Sequence, residues 1–211
     1  TGIGREAFSG CSSLTSITIP DSVTSIDERA FYGCSSLESI TLPFVGGSAT
    51  KNQYLGYIFG GSSYSYNSSY VPRSLKTVII SNKCTSIGER AFYGCSSLTS
   101  VTIPDSVTSI GQDAFYYCSS LTDVYYMGSK TEADNIAIGL YNYNLENATW
   151  HYCGTEVITP TETGIYSITP NALKVFDEQN KGLIYKDGWS LVKGKNYTVI
   201  FENGNGSELK Y

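Results

Sequence analysis

Histidine is nearly absent from this chain: His151 is its single copy in 211 residues. Acid–base catalysis built on histidine therefore has almost nothing to draw on. Positive charge is sparse too, with 14 Lys and Arg against 19 Asp and Glu, a net charge of −5 and no basic run. Phosphate backbones are gripped by clustered Lys and Arg, so nucleic acid is not an expected partner. No apolar run approaches the roughly 18 residues of a membrane-crossing helix, and no membrane insertion is expected within the chain. Missing as well are Cys-x-x-Cys, His-x-x-x-His, a Walker-type loop, a calcium-loop spacing, a nucleophile elbow and a dinucleotide fingerprint. A glycosidase needs two carboxylates facing each other across a cleft; here Asp27 and Glu28 fall beside Arg29 in a turn. No catalytic residue, metal ligand or cofactor is expected, and the chain reads as non-enzymatic.

What the chain has is repetition. ERAFYGCSSL stands at 28–37 and again, unchanged, at 89–98. LTSITIPDSVTSI at 14–26 returns as LTSVTIPDSVTSI at 98–110. Phe8 to Phe31, Phe92 to Phe115, Cys11 to Cys34 and Cys95 to Cys118 are each 23 residues apart. Leu14, Ile17 and Ile19 give the L-x-x-I-x-I spacing of a leucine-rich repeat strand, and Val23 and Ile26 follow a Pro-Asp turn. One copy has too few apolar side chains for a core of its own. Stacked copies bury them against one another, with strands about 4.8 Å apart. β-branched residues dominate and helical periodicity is weak. The expected fold class is a β-rich leucine-rich repeat solenoid with a parallel β ladder, followed by a small C-terminal β module.

Cys11, Cys34, Cys95 and Cys118 share one slot of the repeat. Equivalent side chains in a stack point the same way, so neighbouring cysteines are close enough for a disulfide but wrongly aimed. A straight ladder of thiols does not converge on a metal either. The slot reads as a small buried hydrophobe. Cys84 aligns with a Val slot, and Cys153 lies outside the repeats as the candidate exposed thiol. Along the strands, Ser16, Thr18, Ser39, Thr41, Thr77, Ser100 and Thr102 are expected to face outward as a hydroxyl ladder. Ile79, Asp123 and Tyr125 break it and are candidate partner-binding residues.

The middle copy is stretched over about 43–74. YIFGGSS at 57–63 aligns with AFYGCSS, placing Ile58 in the Phe slot and Gly61 in the Cys slot, with four extra residues before it and eleven after. Tyr54, Tyr57, Tyr64, Tyr66 and Tyr70 crowd this segment among Ser, Gly and Asn, the composition of binding loops, and insertions in a repeat scaffold often carry function. They are candidate partner-binding residues. The alternative reading has them fold back to cover the widened copy.

The motif A-F-x-G-C-S-S-L-T-S-I-T-I-P-D-S-V-T-S-I-G resembles the BspA-like leucine-rich repeat family of bacterial surface proteins, over about residues 1–153. The resemblance implies an extracellular or cell-surface protein that binds an extracellular protein or glycan, some members being adhesins. Residues 1–121 are expected to form the repeats. Residues 122–153 would form a C-terminal cap that includes His151, since V-Y-Y-x-G-S…N-A-T-x-H-Y resembles the end of such arrays. TGIGREAF matches TSIGERAF at 85–92, so the chain is expected to start partway through a copy of a longer array. A Pro/Thr-rich linker is expected at 154–163. In the 164–211 module, GLIYKDGWSLVKGKNYTVIFENGNG resembles small immunoglobulin-like β repeats of Gram-positive surface proteins, cut short at Tyr211 or packed on the cap, with Trp189 and Phe201 in its core. The sequons at Asn67, Asn147, Asn196 and Asn205 matter only in a eukaryotic secretory pathway, which is not expected. The rival to a binding module is a structural spacer that displays another domain.

Overall fold

The computed structural model describes residues 1–51, 53–169, 172–176, 189–195, 197–202 and 208–210, with side chains at 1–51, 53–152, 159–164 and 191–195. The chain divides into two compact units, residues 1–126 with 134–150, and residues 127–133 with 151–211.

The first unit is a stack of coils built on parallel ladders. Strands Ser16–Thr18, Ser39–Leu42, Thr77–Ile80, Ser100–Ile103 and Asp123–Tyr126 pair in parallel, each with the strand of the next coil. Their register follows the repeat, with Ile17 against Ile40, Val78 against Val101, and Val101 against Val124. Alternation sets the faces. Ile40, Leu42, Val78, Ile80, Val101, Ile103, Val124 and Tyr126 are buried, while the hydroxyl ladder between them is partly open to solvent. Each buried aliphatic side chain contributes about 1.5–3 kcal/mol relative to exposure. Two-residue strands make a second edge, where Gly2–Ile3 pairs with Ser25–Ile26, and Ser86–Ile87, Ser109–Ile110 and Ala137–Ile138 pair in series.

The A-F-Y-G-C segment closes each coil. The Phe-slot amide donates to the Ala-slot carbonyl of the following coil, Phe8 to Ala30 and Phe92 to Ala114, both at 2.7 Å. The rings stack as the backbones do, with centroids 5.0 Å apart for Phe8–Phe31 and 4.8 Å for Phe92–Phe115.

The stretched copy departs from the alignment read in the sequence. Phe31 donates its amide to Ile58 and packs its ring against Phe59, at 6.2 Å. Ile58 therefore fills the Ala slot and Phe59, not Ile58, the Phe slot. The reason is packing: an aromatic ring continues the Phe8–Phe31 stack, and an isoleucine cannot. The Tyr slot is deleted, because Gly60 follows at once with φ +108°, in the left-handed region where Gly33 and Gly94 stand. Phe31 to Phe59 spans 28 residues and Phe59 to Phe92 spans 33, so five extra residues precede the slot and ten follow it. They form short helical turns at Gly56–Phe59, Tyr64–Tyr66 and Asn67–Tyr70 where strands and turns alone were expected.

In the second unit, Lys130–Ala133 makes one helical turn. Ser129 and Glu132 cap it reciprocally: the Ser129 amide donates to Glu132 Oε2 at 2.8 Å, and the Glu132 amide to Ser129 Oγ at 3.3 Å. Those hydrogen bonds hold the Glu132 carboxyl below its ordinary pKa. Strand Thr149–Ile158 runs through position 154, where the linker was expected to begin. Within this unit its residues 153–158 pair antiparallel with Tyr197–Glu202. Gly164–Thr169 pairs antiparallel with Trp189–Leu191 and Glu208–Lys210, and Ala172–Phe176 with Tyr197–Glu202. The side chains of Cys153, Trp189 and Phe201, and the KDG and ENGNG turns, lie outside the described residues. No helix among the described residues is long and apolar enough to cross a membrane.

Candidate functional site

Two slots of the closing segment put side chains on one face of the first unit. One is the residue two before the Phe of each regular coil, occupied by Glu6, Arg29, Arg90 and Asp113, and by Tyr141 in the last coil. All five are left-handed, with φ between +56° and +65°. L-residues visit this region at a cost of about 1–2 kcal/mol. It is held here by backbone bonds between coils, such as Arg90 N to Gln112 O at 3.0 Å and Asp113 N to Leu140 O at 2.9 Å. The other is the Tyr slot, occupied by Tyr32, Tyr93 and Tyr116.

These slots converge on a shallow trough of about 260 Å³ lined by Tyr64, Arg90, Tyr93, Asp113, Tyr116 and Tyr141. Tyr93 and Tyr116 lie 5.7 Å apart and inclined by 33°, forming a floor. Tyr64 stands at 75° to Tyr93 at one end, 5.4 Å away, and Tyr141 at 72° to Tyr116 at the other, 6.4 Å away. Tyr64 comes from the insertion and supplies a ring beside the deleted Tyr slot. The Arg90 guanidinium lies 4.6 Å from the Tyr64 ring centroid, and its Nε is 3.4 Å from Asp113 Oδ2. Asp113 also accepts from Gln112 Nε2 at 3.3 Å. Tyr117 leans on Tyr116, centroids 4.1 Å apart, and its hydrogen bond pushes the Tyr116 phenol up.

Tyr117 is the outlier. It occupies the left-handed slot filled by Gly10, Gly33 and Gly94 elsewhere, at φ +57°, yet it is 58% exposed. The strain is not repaid by burial.

Of the residues singled out in the sequence, Tyr64 alone joins the trough lining. Tyr54 and Tyr57 pair edge-to-face at 6.0 Å, half-buried, and Tyr54 Oη donates to Gly61 O at 3.3 Å. Burial, then Tyr57, raises the Tyr54 phenol pKa. Tyr66 and Tyr70 pair at 6.2 Å and stay 48% and 38% exposed. Ile79, Asp123 and Tyr125 sit on the outward side of the strands, Tyr125 in register with Thr102 and Asp123 with Ser100.

The BspA type leucine-rich repeat region model matches residues 1–55 and 62–161, in six copies. The chain belongs to the BspA type leucine-rich repeat family. Among solved structures, this BspA-type chain is similar to a leucine rich cell surface protein from Faecalibacterium prausnitzii A2-165, at 30% identity and a TM-score of 0.43 over 64% of this chain and 32% of that one. It is also similar to a leucine-rich repeat protein from Bacteroides ovatus, at 28% identity and a TM-score of 0.37 over 71% and 36% of the two chains. A third is the leucine rich repeat protein of T. pallidum, at 22% identity and a TM-score of 0.38 over 67% and 70%. The chain thus spans about a third of the length of the first of these. No curated protein matches.

The BspA-type cysteine slot does more than fill space. Cys34 Sγ donates to Phe8 O at 3.2 Å and Cys118 Sγ to Phe92 O at 3.1 Å, each to the preceding coil. Cys84 Sγ donates to Ser86 O at 3.1 Å. Burial raises the thiol pKa of Cys34, Cys84 and Cys95, and pushes that of Cys118 up to about 12. Cys11, in the same slot, is exposed, where the slot was expected to be buried. No group of three or more His, Cys, Asp or Glu among the described residues is placed to hold a metal ion.

Sequence reading missed Arg90, Asp113, Tyr93, Tyr116 and Tyr141 as neighbours of Tyr64. The signal was present in the Tyr slot of A-F-Y and in the Gly-to-Tyr change at 117.

Proposed function

We propose that this chain is a non-enzymatic binding module of a bacterial surface or secreted protein, recognising an extracellular protein or glycan. The observation that carries the reading is Tyr117, a strained and exposed ring at the edge of a tyrosine trough, where neighbouring coils place glycine. Tyrosine gives large contact area at low entropy cost and a hydroxyl for hydrogen bonding. Family membership supports a surface setting, since the repeat motif resembles arrays of bacterial surface proteins. Tyr66 and Tyr70 extend the candidate surface over the insertion. Ile79, Asp123 and Tyr125 offer a separate patch on the strands. Residues 122–153 would act as the cap, and 164–211 as a stalk-like immunoglobulin-type β module.

The test is a screen of the purified chain against immobilised extracellular proteins and glycans. Binding to at least one, reduced by Tyr64→Ala, Tyr66→Ala and Tyr70→Ala together at unchanged melting temperature, is expected. Loss of stability in that triple variant would support the packing role of the tyrosines. Silence on both arrays would favour the spacer reading.

A further inference from the structure

We infer that the trough between Tyr64 and Tyr141 is a binding site for a neutral saccharide, one or two sugar rings lying on Tyr93 and Tyr116. The inference rests on the binding-module reading and narrows it to one site and one ligand chemistry.

Three features select the ligand. Shape comes first: a two-ring floor with an upright ring at each end fits a flat, ring-sized unit, not an extended side chain. A pyranose presents a C–H face to such a floor, and weak C–H contacts to an aromatic face add to the burial of both. Charge comes second. Arg90 is the cation at the trough, and Asp113 and Glu89 both pair with it, so the local balance is negative and no spare cation greets a phosphate, sulfate or carboxylate. A cationic ligand meets a like charge beside the trough, because the Arg90 guanidinium lies against the Tyr64 ring and takes that wall from a quaternary ammonium. A neutral molecule rich in hydroxyls is left. Third is the polar rim. The Arg90–Asp113 pair presents donors and an acceptor side by side in a fixed arrangement, with Asp113 almost fully buried. Adjacent sugar hydroxyls can accept from one and donate to the other. Tyr117, exposed and outside the lining, packs against both floor rings, 5.8 Å from Tyr93 and 4.1 Å from Tyr116, and so holds the floor in place. This role accounts for a tyrosine held where φ favours glycine.

The test uses the whole chain and arrays of short neutral gluco-, manno-, galacto- and chito-oligosaccharides, with sialylated, sulfated and choline-bearing probes beside them. Titration calorimetry then follows the best neutral ligand. The expected result is saturable binding of a neutral probe, weakened at least about tenfold by Tyr93→Ala or Tyr116→Ala, the loss from removing a stacking ring. Tyr116→Phe should keep most of the affinity, because the ring remains. Tyr117→Gly restores the residue of the other coils, so it should fold normally and still bind more weakly. Tyr66→Ala should change nothing. A neutral ligand that binds these variants equally well overturns the assignment, as does preference for an anionic or choline-bearing probe. A protein partner that binds while every saccharide fails overturns the saccharide site and leaves the module reading standing. Failure of both arrays overturns the two together.

Discussion

Replacing Asn142 by alanine tests how the stack ends. In regular coils the Phe-slot amide donates to the Ala-slot carbonyl of the next coil, as Phe92 does to Ala114. Phe115 faces the last coil, where Asn142 fills the Ala slot, and its amide donates instead to Asn142 Oδ1 at 2.9 Å. Asn142 Nδ2 donates to Gly111 O at 3.0 Å and to Gly139 O at 2.8 Å, and the residue is fully buried. Asn142→Ala gives the slot its usual residue yet removes three hydrogen bonds. An unpaired buried group costs about 1–3 kcal/mol, and the two carbonyls lose one donor each, so a total of about 2–4 kcal/mol is expected. For a chain of this size that lowers Tm by roughly 5–15 °C. Far-UV circular dichroism follows the melt. Fluorescence of Trp150, whose indole donates to Leu145 O at 3.0 Å, reports on the last coil and should fall first. Asn142→Asp keeps the acceptor for Phe115 but loses both donors and buries a charge, so it should be no milder. A Tm within about 2 °C of the parent would refute the reasoning. It would mean that the main-chain carbonyl at position 142 turns to take the Phe115 amide as in any other coil.

Gly111→Ala should destabilise by about 1–3 kcal/mol or more, because a Cβ there would sit 2.4 Å from Glu89 N and 2.7 Å from Glu89 Cα. Gly4→Ala, in the same Ile-Gly slot with open space around it, should melt like the parent. Phe59→Ala should cost about 3–5 kcal/mol in urea unfolding, whereas Tyr66→Ala should stay within about 0.5 kcal/mol. Native-state thiol labelling should lose one fast equivalent in Cys11→Ser, while Cys34, Cys84, Cys95 and Cys118 react only on unfolding. The raised Cys118 pKa has a sign that can be checked. Between the ordinary thiol value of 9.0 and about 12 the unfolded chain has released a proton that the native chain retains. Stability from this group is therefore complete below pH 9.0 and is lost as pH rises toward 12, and Cys118→Ala should flatten that part of the pH–stability curve.

The ladder was legible because its cause is periodic. A 23-residue phase with Ile, Val and Leu at fixed offsets leaves one way to bury those side chains, and Ile17, Ile40, Val78, Val101 and Val124 line up accordingly. Departures from the period were harder. Letter matching aligned GG at 60–61 with GC and so put Ile58 in the Phe slot, whereas ring stacking on Phe31 selects Phe59. Asn67 read only as a sequon, and nothing in the sequence singled out Asn142. Both are buried and supply side-chain hydrogen bonds where the repeat breaks, Asn67 accepting from Gly56 N at 2.8 Å and donating to Ala91 O at 3.3 Å. The trough was hidden for a different reason. Its residues come from separate copies, and the pitch of the stack, not nearness in sequence, brings Tyr64 to Tyr93 and Tyr116 to Tyr141.

The left-handed slot of the regular coils, two residues before Phe, carries an evolutionary consequence. Glu6, Arg29, Arg90, Asp113 and Tyr141 share one backbone conformation although their side chains range over acid, base and ring. Backbone hydrogen bonds between coils hold the shape, so the backbone itself does not prescribe the side chain. Whenever a gene of this kind duplicates a coil, it creates one more such position whose chemistry can be rewritten by a single codon change. The core and the ladder come along as copied text. Such an array can acquire a new surface specificity coil by coil, with acid, base or ring substituted at a regular pitch along one face.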